Sequence, residues 1–160
     1  MNPNEITSLW VSSSSYRVQS PKSEKFAEAY ATLGWTYSFL GTGYGRRLPE
    51  DVYPMAKEAA LRAIAIDSKL ADARSLYADI LTWYDWDFDA AEREYLKTIE
   101  LDPFNTLGYA LYLSTQQRHD EAIAAVERRI AANPNDPYVQ VNAGWRYLNA
   151  RLYDKAIEIF

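Results

Sequence analysis

The stretch AEREYLKTIELDP, residues 91–103, decides the fold of this chain. It opens with the small residue Ala91, continues with apolar residues at helical spacing, and ends at Asp102 and Pro103, where proline stops the helix. Alanines in equivalent settings recur along the chain at Ala56, Ala122 and Ala156. The four alanines are 35, 31 and 34 residues apart. A sequence that repeats about every 34 residues is typical of stacked helix pairs.

A second series of small residues runs in step with the first and marks a preceding helix in each unit: Gly34, Ala78, Ala110 and Gly144. Large residues stand three and four positions away from them, which places each set on one helical face. A small residue at that place lets the backbone of a partner helix come close. The two series together predict an all-α solenoid of helical hairpins, with about three and a half units over residues 23–160.

The repeat predicts where the helices lie and where the units differ. Helices are expected over residues 24–40, 50–67, 70–84, 87–101, 105–117, 119–132, 136–149 and 152–160, to within a few residues. Unit one carries extra residues between its helices, around Gly41 to Glu50. Unit three has lost three residues at the start of its first helix. We therefore expect a notch or a skewed step in the stack at that point.

These patterns resemble tetratricopeptide repeats. The resemblance is carried by FAEAYATLG at residues 26–34, by NAGWRY at residues 142–147 and by the stretch 91–103, and it covers residues 24–160. It implies a right-handed superhelix of helical hairpins that acts as a scaffold for protein–protein interaction and is not an enzyme. The stretch WYDWDFD at residues 83–89 is similar to a bacterial subgroup in which the repeats are fused to transcription regulators, nucleotide cyclases or protein kinases.

The two ends of the chain differ from the repeat. Residues 1–22, which include a serine run, are predicted to form a partly ordered leader. The chain stops at Phe160 in mid-helix, without the polar capping helix that usually ends such arrays, so we expect truncation at the C-terminus. An uncapped last helix leaves an apolar edge, and we expect concentration-dependent self-association through it.

Composition excludes several classes of function. The net charge is −5, and no cluster of Lys and Arg offers a nucleic-acid surface. No apolar run is long enough to cross a membrane, and the N-terminus lacks the pattern of a secretory signal. We therefore expect a cytoplasmic protein with no membrane partner. The absence of cysteine excludes disulfides and thiolate metal sites.

Candidate catalytic and metal sites each have a simpler structural interpretation. His119 is the single histidine and has no His or Cys partners, so an exposed loop residue before a helix is expected. Asp85, Asp87 and Asp89 alternate as in a calcium loop, but they lack its glycine and its final glutamate, and helix capping is the favoured interpretation.

The glycines and arginines of residues 41–47 resemble a phosphate loop, but no strand precedes them and the Lys is missing, so an inserted flexible loop is favoured. Carboxylates on the helices, such as Glu92 and Glu94, are expected to be solvated. We therefore predict no catalytic residue, no metal and no cofactor.

The remaining candidate for a functional site is the concave face of the solenoid. Residues three before, one after and five after each small residue of the first helices are expected to face the groove. The predicted groove residues are Ala31, Trp35, Phe39, Ser75, Asp79, Trp83, Leu107, Leu111, Val141, Trp145 and Asn149. With Glu28 and Asp72 nearby, this face is mildly acidic.

The aromatic residues on this face predict a groove that binds a peptide or protein segment with apolar anchors and some Lys or Arg. The alternative is a regulatory module of a larger bacterial signalling or transcription protein that senses a peptide or small ligand.

Overall fold

The computed structural model describes residues 21–160, with side chains from residue 24 onwards. Within this part the chain is helical and has no strand, which confirms the all-α prediction. The helices are α1 (Pro21–Leu40), α2 (Pro49–Ile66), α3 (Ala71–Ile80), α4 (Phe88–Leu101), α5 (Leu107–Thr115), α6 (His119–Ala132), α7 (Pro137–Asn149) and α8 (Tyr153–Ile159). Residues 1–20 of the predicted leader lie outside the described residues, and α1 begins at its last two positions.

Proline or aspartate marks the start of three helices, α2, α4 and α7. Pro49 and Pro137 are the first residues of α2 and α7, where the missing N–H of proline costs nothing. Asp87 caps α4 by accepting a hydrogen bond from the amide of Ala90, and Asp136 caps α7 in the same way. The ends predicted from sequence agree with the structure to within a few residues.

The helices pack as four consecutive hairpins, α1 with α2, α3 with α4, α5 with α6, and α7 with α8. The first helices of neighbouring hairpins also touch, α1 with α3, α3 with α5, and α5 with α7, so they form one continuous layer. The small residues sit in the core between helices: Ala56, Ala78, Ala91, Ala110 and Ala122 are buried. Both series of small residues therefore mark helix crossings, as the repeat predicted.

The two glycines of the second series lie against the second helix of their own hairpins. A Cβ atom on Gly34 would lie 3.2 Å from the backbone oxygen of Ala56 and 2.5 Å from Leu76 Cδ2. A Cβ atom on Gly144 would lie 2.6 Å from Phe160 Cζ, just past the end of α8. Only glycine permits these approaches without a shift of the neighbour.

The expected irregularities of units one and three are present. Residues 41–48 connect α1 to α2. Helix α5 has 9 residues, against 20 in α1 and 13 in α7. A cavity of about 310 Å³ lies beside its start, lined by Asp72, Asp102, Phe104, Asn105, Thr106, Leu107 and Arg129. The cavity lies at the place where the spacing predicted a notch or a skewed step.

A π-helical turn, Leu81–Asp85, follows α3 and was not predicted. The amides of Trp86 and Asp87 both reach back to the oxygen of Leu81, and Trp86 adopts a left-handed conformation with φ 59°. An ion pair of 2.6 Å between Lys57 and Asp85 ties the turn to α2. This turn carries Trp83, which matters for the site described below.

Two further features of the described chain bear on the predictions. Between residues 21 and 160, no helix has the length and apolar character needed to cross a membrane. At the C-terminal end, α8 leaves Ile157 and Phe160 largely exposed. Self-association through this helix stays a prediction.

Candidate functional site: a groove lined by the first helices

Two adjoining cavities open on the layer formed by the first helices, with volumes of about 480 and 220 Å³. They share four lining residues, Trp35, Asp79, Leu111 and Tyr138. These four residues come from α1, α3, α5 and α7. We call the two cavities together the groove, and it brings one residue from each first helix to a common surface.

The larger cavity is mainly aromatic. Its walls are Trp35, Ser38, Phe39, Thr42, Tyr53, Asp79, Trp83, Leu111 and Tyr138. Trp35 and Trp83 each keep over a third of their surface exposed, at 36% and 37%, and Phe39 and Tyr138 keep more. Large aromatic surface that stays open in one concave place is unusual, and it makes this cavity the candidate binding surface.

The smaller cavity is more polar. It is lined by Trp35, Ser75, Asp79, Asn105, Leu107, Gly108, Leu111, Tyr138 and Asn142. Gly108 matters to its shape, because a Cβ atom there would lie 3.0 Å from an oxygen of Asp79 and 3.0 Å from the ring of Tyr95. The absence of a side chain at Gly108 thus lets α5 approach α3 and α4 at the floor of the groove.

Tyr53 shows how the aromatic wall is built. Its ring stacks on Tyr84 of the π-helical turn, with centroids 5.2 Å apart and planes within 4° of each other. This stack and the Lys57–Asp85 ion pair fix the turn against α2. The π-helical turn thereby holds Trp83 in the wall of the larger cavity. π-Helical segments often accompany functional sites, and this one positions a wall of the groove.

The structure brings seven of the eleven predicted groove residues into the two cavities: Trp35, Phe39, Ser75, Asp79, Trp83, Leu107 and Leu111. Val141, Trp145 and Asn149 are exposed on α7 but line neither cavity. The ring of Trp145 instead meets Phe160 edge-on, with centroids 6.0 Å apart.

Ala31 was predicted to line the groove, and the structure corrects this. Ala31 is only 4% exposed and packs with Ala63 and Ala73, under Tyr30 and Ile64. The prediction is wrong because α2 and α3 cover that side of α1. A buried methyl group leaves almost no surface for a partner.

Several lining residues were missed by the spacing rule: Ser38, Thr42, Tyr53, Asn105, Gly108, Tyr138 and Asn142. Tyr138 and Asn142 are four residues apart and therefore share a face of α7. That spacing was readable in the sequence. The sequence did not show which face of α7 meets the groove, because that depends on how α7 packs on α5.

Asp79 is the chemically distinctive residue of the groove. Its oxygen Oδ1 accepts a hydrogen bond of 2.5 Å from the hydroxyl of Tyr95. The Tyr95 hydroxyl also lies 3.5 Å from the hydroxyl of Thr82. Burial raises the pKa of Asp79 to about 6, and the hydrogen bond from Tyr95 only partly offsets that effect. Burial, together with the charge of Asp79, raises the pKa of Tyr95 well above its usual value. The carboxyl group of Asp79 therefore gains or loses its proton at a pH of about 6.

Arg146 lies one turn beyond Asn142 on α7 and is largely buried. It is 6% exposed, and its Nε and Nη1 nitrogens make no hydrogen bond. Burial lowers the pKa of its guanidinium group. Among the described residues it forms no ion pair, so two of the three guanidinium nitrogens are buried with neither a hydrogen bond nor a counter-charge.

Replacing this charge should stabilise the protein. We expect Arg146→Met to raise the free energy of unfolding by about 1–2 kcal/mol, because Met fills the same space without a buried charge. Arg128→Met, at an exposed position of α6, is the matched control and should change stability by less than about 0.5 kcal/mol. Urea unfolding of both variants measures the difference. A loss of stability in Arg146→Met would contradict this account of the buried guanidinium.

The other candidates from the sequence have structural roles. His119 is the first residue of α6 and is partly buried, with Nδ1 buried and unbonded, so its prediction as an exposed loop residue is corrected. Asp85 is engaged by Lys57 and Asp87 caps α4, which confirms the capping interpretation for Asp87. In the described part of the chain no three His, Asp or Glu side chains are grouped as metal ligands would be.

Comparison with proteins of known structure shows which fold the chain shares with them. No family model and no curated protein matches the sequence. Among solved structures, a crystal structure of MamA is 23% identical, with 84% of this chain and 74% of that chain covered and a TM-score of 0.58. PilF of Pseudomonas aeruginosa is 24% identical, with 86% of this chain covered and a TM-score of 0.67. The chain spans 60% of the length of PilF.

The structure of a MamA point mutant gives a TM-score of 0.51 at 17% identity, over 87% of this chain and 90% of that chain. Likeness at this level of identity concerns the fold. Fusion to a transcription regulator, cyclase or kinase stays a prediction. The described residues form eight helices, paired into four hairpins with small residues at each crossing. Together with the similarity to these structures, this identifies the fold: the chain has the helical-hairpin solenoid fold of tetratricopeptide repeats.

Proposed function

We propose that this chain is a non-enzymatic interaction module that binds a segment of a partner protein in the groove. One observation carries the proposal: the open faces of Trp35, Phe39, Trp83 and Tyr138 line one cavity, although they come from three separate parts of the sequence. Aromatic side chains that are open to solvent bury apolar ligand surface with little loss of conformational entropy.

The size of the groove suits a peptide segment. The larger cavity, at about 480 Å³, falls in the range of sites that accept small ligands or several side chains. The smaller cavity continues it past Asp79 and Leu111, so that a bound segment can follow the layer of first helices from α1 to α7. An elongated site of this kind favours a chain segment over a compact ligand.

The groove is also preorganised. Below it, Leu76 and Ile80 of α3 have no exposed surface, and they pack with Val52 and Ala56 of α2. Walls supported by a packed core do not need to be ordered at the moment of binding, which lowers the entropic cost of association. The groove is thus built mainly on helices, and only Thr42 and Asn105 of its lining come from the connections between them.

Two tryptophans should supply much of the affinity. We expect Trp35→Ala and Trp83→Ala each to weaken binding by about 2 kcal/mol, which is roughly 30-fold, because both line the larger cavity. Trp145→Ala is the matched control, since Trp145 is exposed but lies outside the groove. The measurement is calorimetric titration of a peptide selected on the wild-type protein from a random heptapeptide library, with circular dichroism confirming that each variant is folded.

The control makes the result specific. If Trp145→Ala weakens binding as much as Trp35→Ala and Trp83→Ala do, the site extends over the exposed face of α7. If neither Trp35→Ala nor Trp83→Ala changes the affinity, the groove is not the binding site. The partner would then bind the convex face or the loop of residues 41–48.

A further inference from the structure

We infer that Asp79 forms a subsite for one basic side chain, Lys or Arg, of the segment that binds in the groove. This inference rests on the proposed function and names the chemistry that the groove selects. It goes beyond a mildly acidic face, because it assigns the selection to a single carboxylate at a defined place.

The first argument is the distribution of charge. Among the described residues that line the two cavities, Asp79 is the one charged residue, and no Lys or Arg stands with it. The remaining walls are aromatic, aliphatic or uncharged polar residues. A basic side chain entering the groove therefore meets one opposite charge and no repulsion, whereas an acidic side chain meets repulsion alone.

The second argument is the geometry at the carboxylate. The hydroxyl of Tyr95 donates to Oδ1 from beneath the groove. Within residues 21–160 no other hydrogen bond to Asp79 is found, and no cation pairs with it. Oδ2 is thus left without a donor beside two cavities that Asp79 lines. An ammonium or guanidinium group supplies the missing donors as a charge-assisted hydrogen bond.

The third argument is the aromatic surround. Trp35, Trp83 and Tyr138 line the larger cavity together with Asp79. Indole and phenol faces attract a cation and also pack against the aliphatic stem of Lys or Arg. A carboxylate set among aromatic faces therefore recognises both parts of a basic side chain, its apolar stem and its charged end.

Burial of Asp79 agrees with this assignment. The same desolvation that raises the pKa of Asp79 to about 6 leaves its charge poorly compensated in the empty groove. A bound cation supplies that compensation. The titratable side chains that face Asp79 or line its cavity are Tyr95 of α4, Tyr53 of α2 and Tyr138 of α7, and Asp79 is the one carboxyl group among them. Asp79 alone therefore makes this subsite sensitive to pH.

The test begins with selection from a random heptapeptide library displayed on phage. The library is selected on the wild-type protein and on Asp79→Asn at about pH 7.5. The amide keeps the size of the side chain and an oxygen that accepts the Tyr95 hydroxyl, so the fold is retained. We expect Lys or Arg between apolar residues in the wild-type peptides, and no enrichment of basic residues with Asp79→Asn.

A matched pair of peptides then measures the preference directly. One selected peptide is compared with the same peptide in which norleucine replaces the basic residue, which keeps the stem and removes the charge. The wild-type protein should prefer the basic peptide by about tenfold or more, and Asp79→Asn should bind the two peptides equally. The preference of the wild type should shrink as the pH falls from about 7.5 to 5, through the pKa of about 6.

The outcomes separate the two proposals. Selected peptides that bind in a Trp35-dependent manner but show no preference for the basic residue overturn the Asp79 subsite and leave the groove intact. The subsite is also overturned if Asp79→Asn keeps the preference, or if the preference persists unchanged at about pH 5. If the library yields no peptide whose binding depends on Trp35 or Trp83, the proposed function itself fails.

Discussion

Gly34→Leu should lower the free energy of unfolding by about 3 kcal/mol or more, whereas Gly144→Leu should cost only about 1 kcal/mol. At Gly34 a Cβ atom would come within 2.5 Å of Leu76 Cδ2, and Leu76 has no exposed surface into which it could move. The backbone oxygen of Ala56, at 3.2 Å, cannot rotate away. A larger side chain must therefore push α1 away from α2 and α3.

Gly144 is the matched control for this prediction. Its neighbour is the ring of Phe160, which lies at the end of α8 and is 66% exposed, so the ring can swing into solvent. Overpacking typically costs about 1–3 kcal/mol, and the exposed position of Phe160 places Gly144→Leu at the lower end of that range. Urea unfolding of the two variants measures the contrast. Equal losses, or a larger loss at Gly144, would show that the crossing of α1 with α2 is not the tighter of the two.

Asp79→Asn should stabilise the protein by about 1–3 kcal/mol above pH 7, and the gain should vanish below about pH 4. Asp79 has a folded-state pKa of about 6, raised from 3.8 by burial. The folded wild type therefore holds a proton that the unfolded chain has already released between these two values. Wild-type stability then falls, relative to the variant, as the pH rises through this window, and the loss is complete above about pH 7.

The measurement is the difference in unfolding free energy between wild type and Asp79→Asn at about pH 4 and about pH 7.5. Taking the difference at one pH cancels the titration of groups that the two proteins share. Asp120→Asn, at an exposed position in the first turn of α6, is the control and should show no such gain at neutral pH. A constant difference across the pH range would mean that burial does not perturb the Asp79 carboxyl group. Stability lost at Asp79 in this way is typical of residues kept for binding.

The fold was predictable because two series of small residues repeat in phase. Gly34 and Ala56, for example, mark the two sides of one helix crossing. They lie further apart in sequence than Gly144 and Ala156 do, because the connection between the helices is longer in unit one. The shortening of α5 was likewise readable from the distance between Pro103 and Ala110. The π-helical turn could not be predicted from the sequence. Residues Leu81–Asp85 continue the helical pattern of α3, and only the hydrogen-bond partners of the backbone change there.

The site was predictable in part, for a physical reason. Spacing from Gly34 and Ala78 led to Trp35, Asp79 and Trp83, which line the larger cavity because they lie on the open face of the layer of first helices. In α7 the same rule pointed to Trp145, whereas the groove is lined by Tyr138 and Asn142. The rotation of one helix against the next is set by side-chain packing, which the period of the repeat does not contain.

The indole N–H signals of a ¹⁵N-labelled sample test the central claim most directly, because each tryptophan side chain gives one resonance. A selected heptapeptide is titrated into the wild-type protein, with the signals assigned by single Trp→Phe variants. Binding in the groove predicts saturable shifts at Trp35 and Trp83, which line it, and unchanged signals at Trp86 and Trp145, which do not. Shifts confined to Trp86 or Trp145, with Trp35 and Trp83 unmoved, would contradict the account.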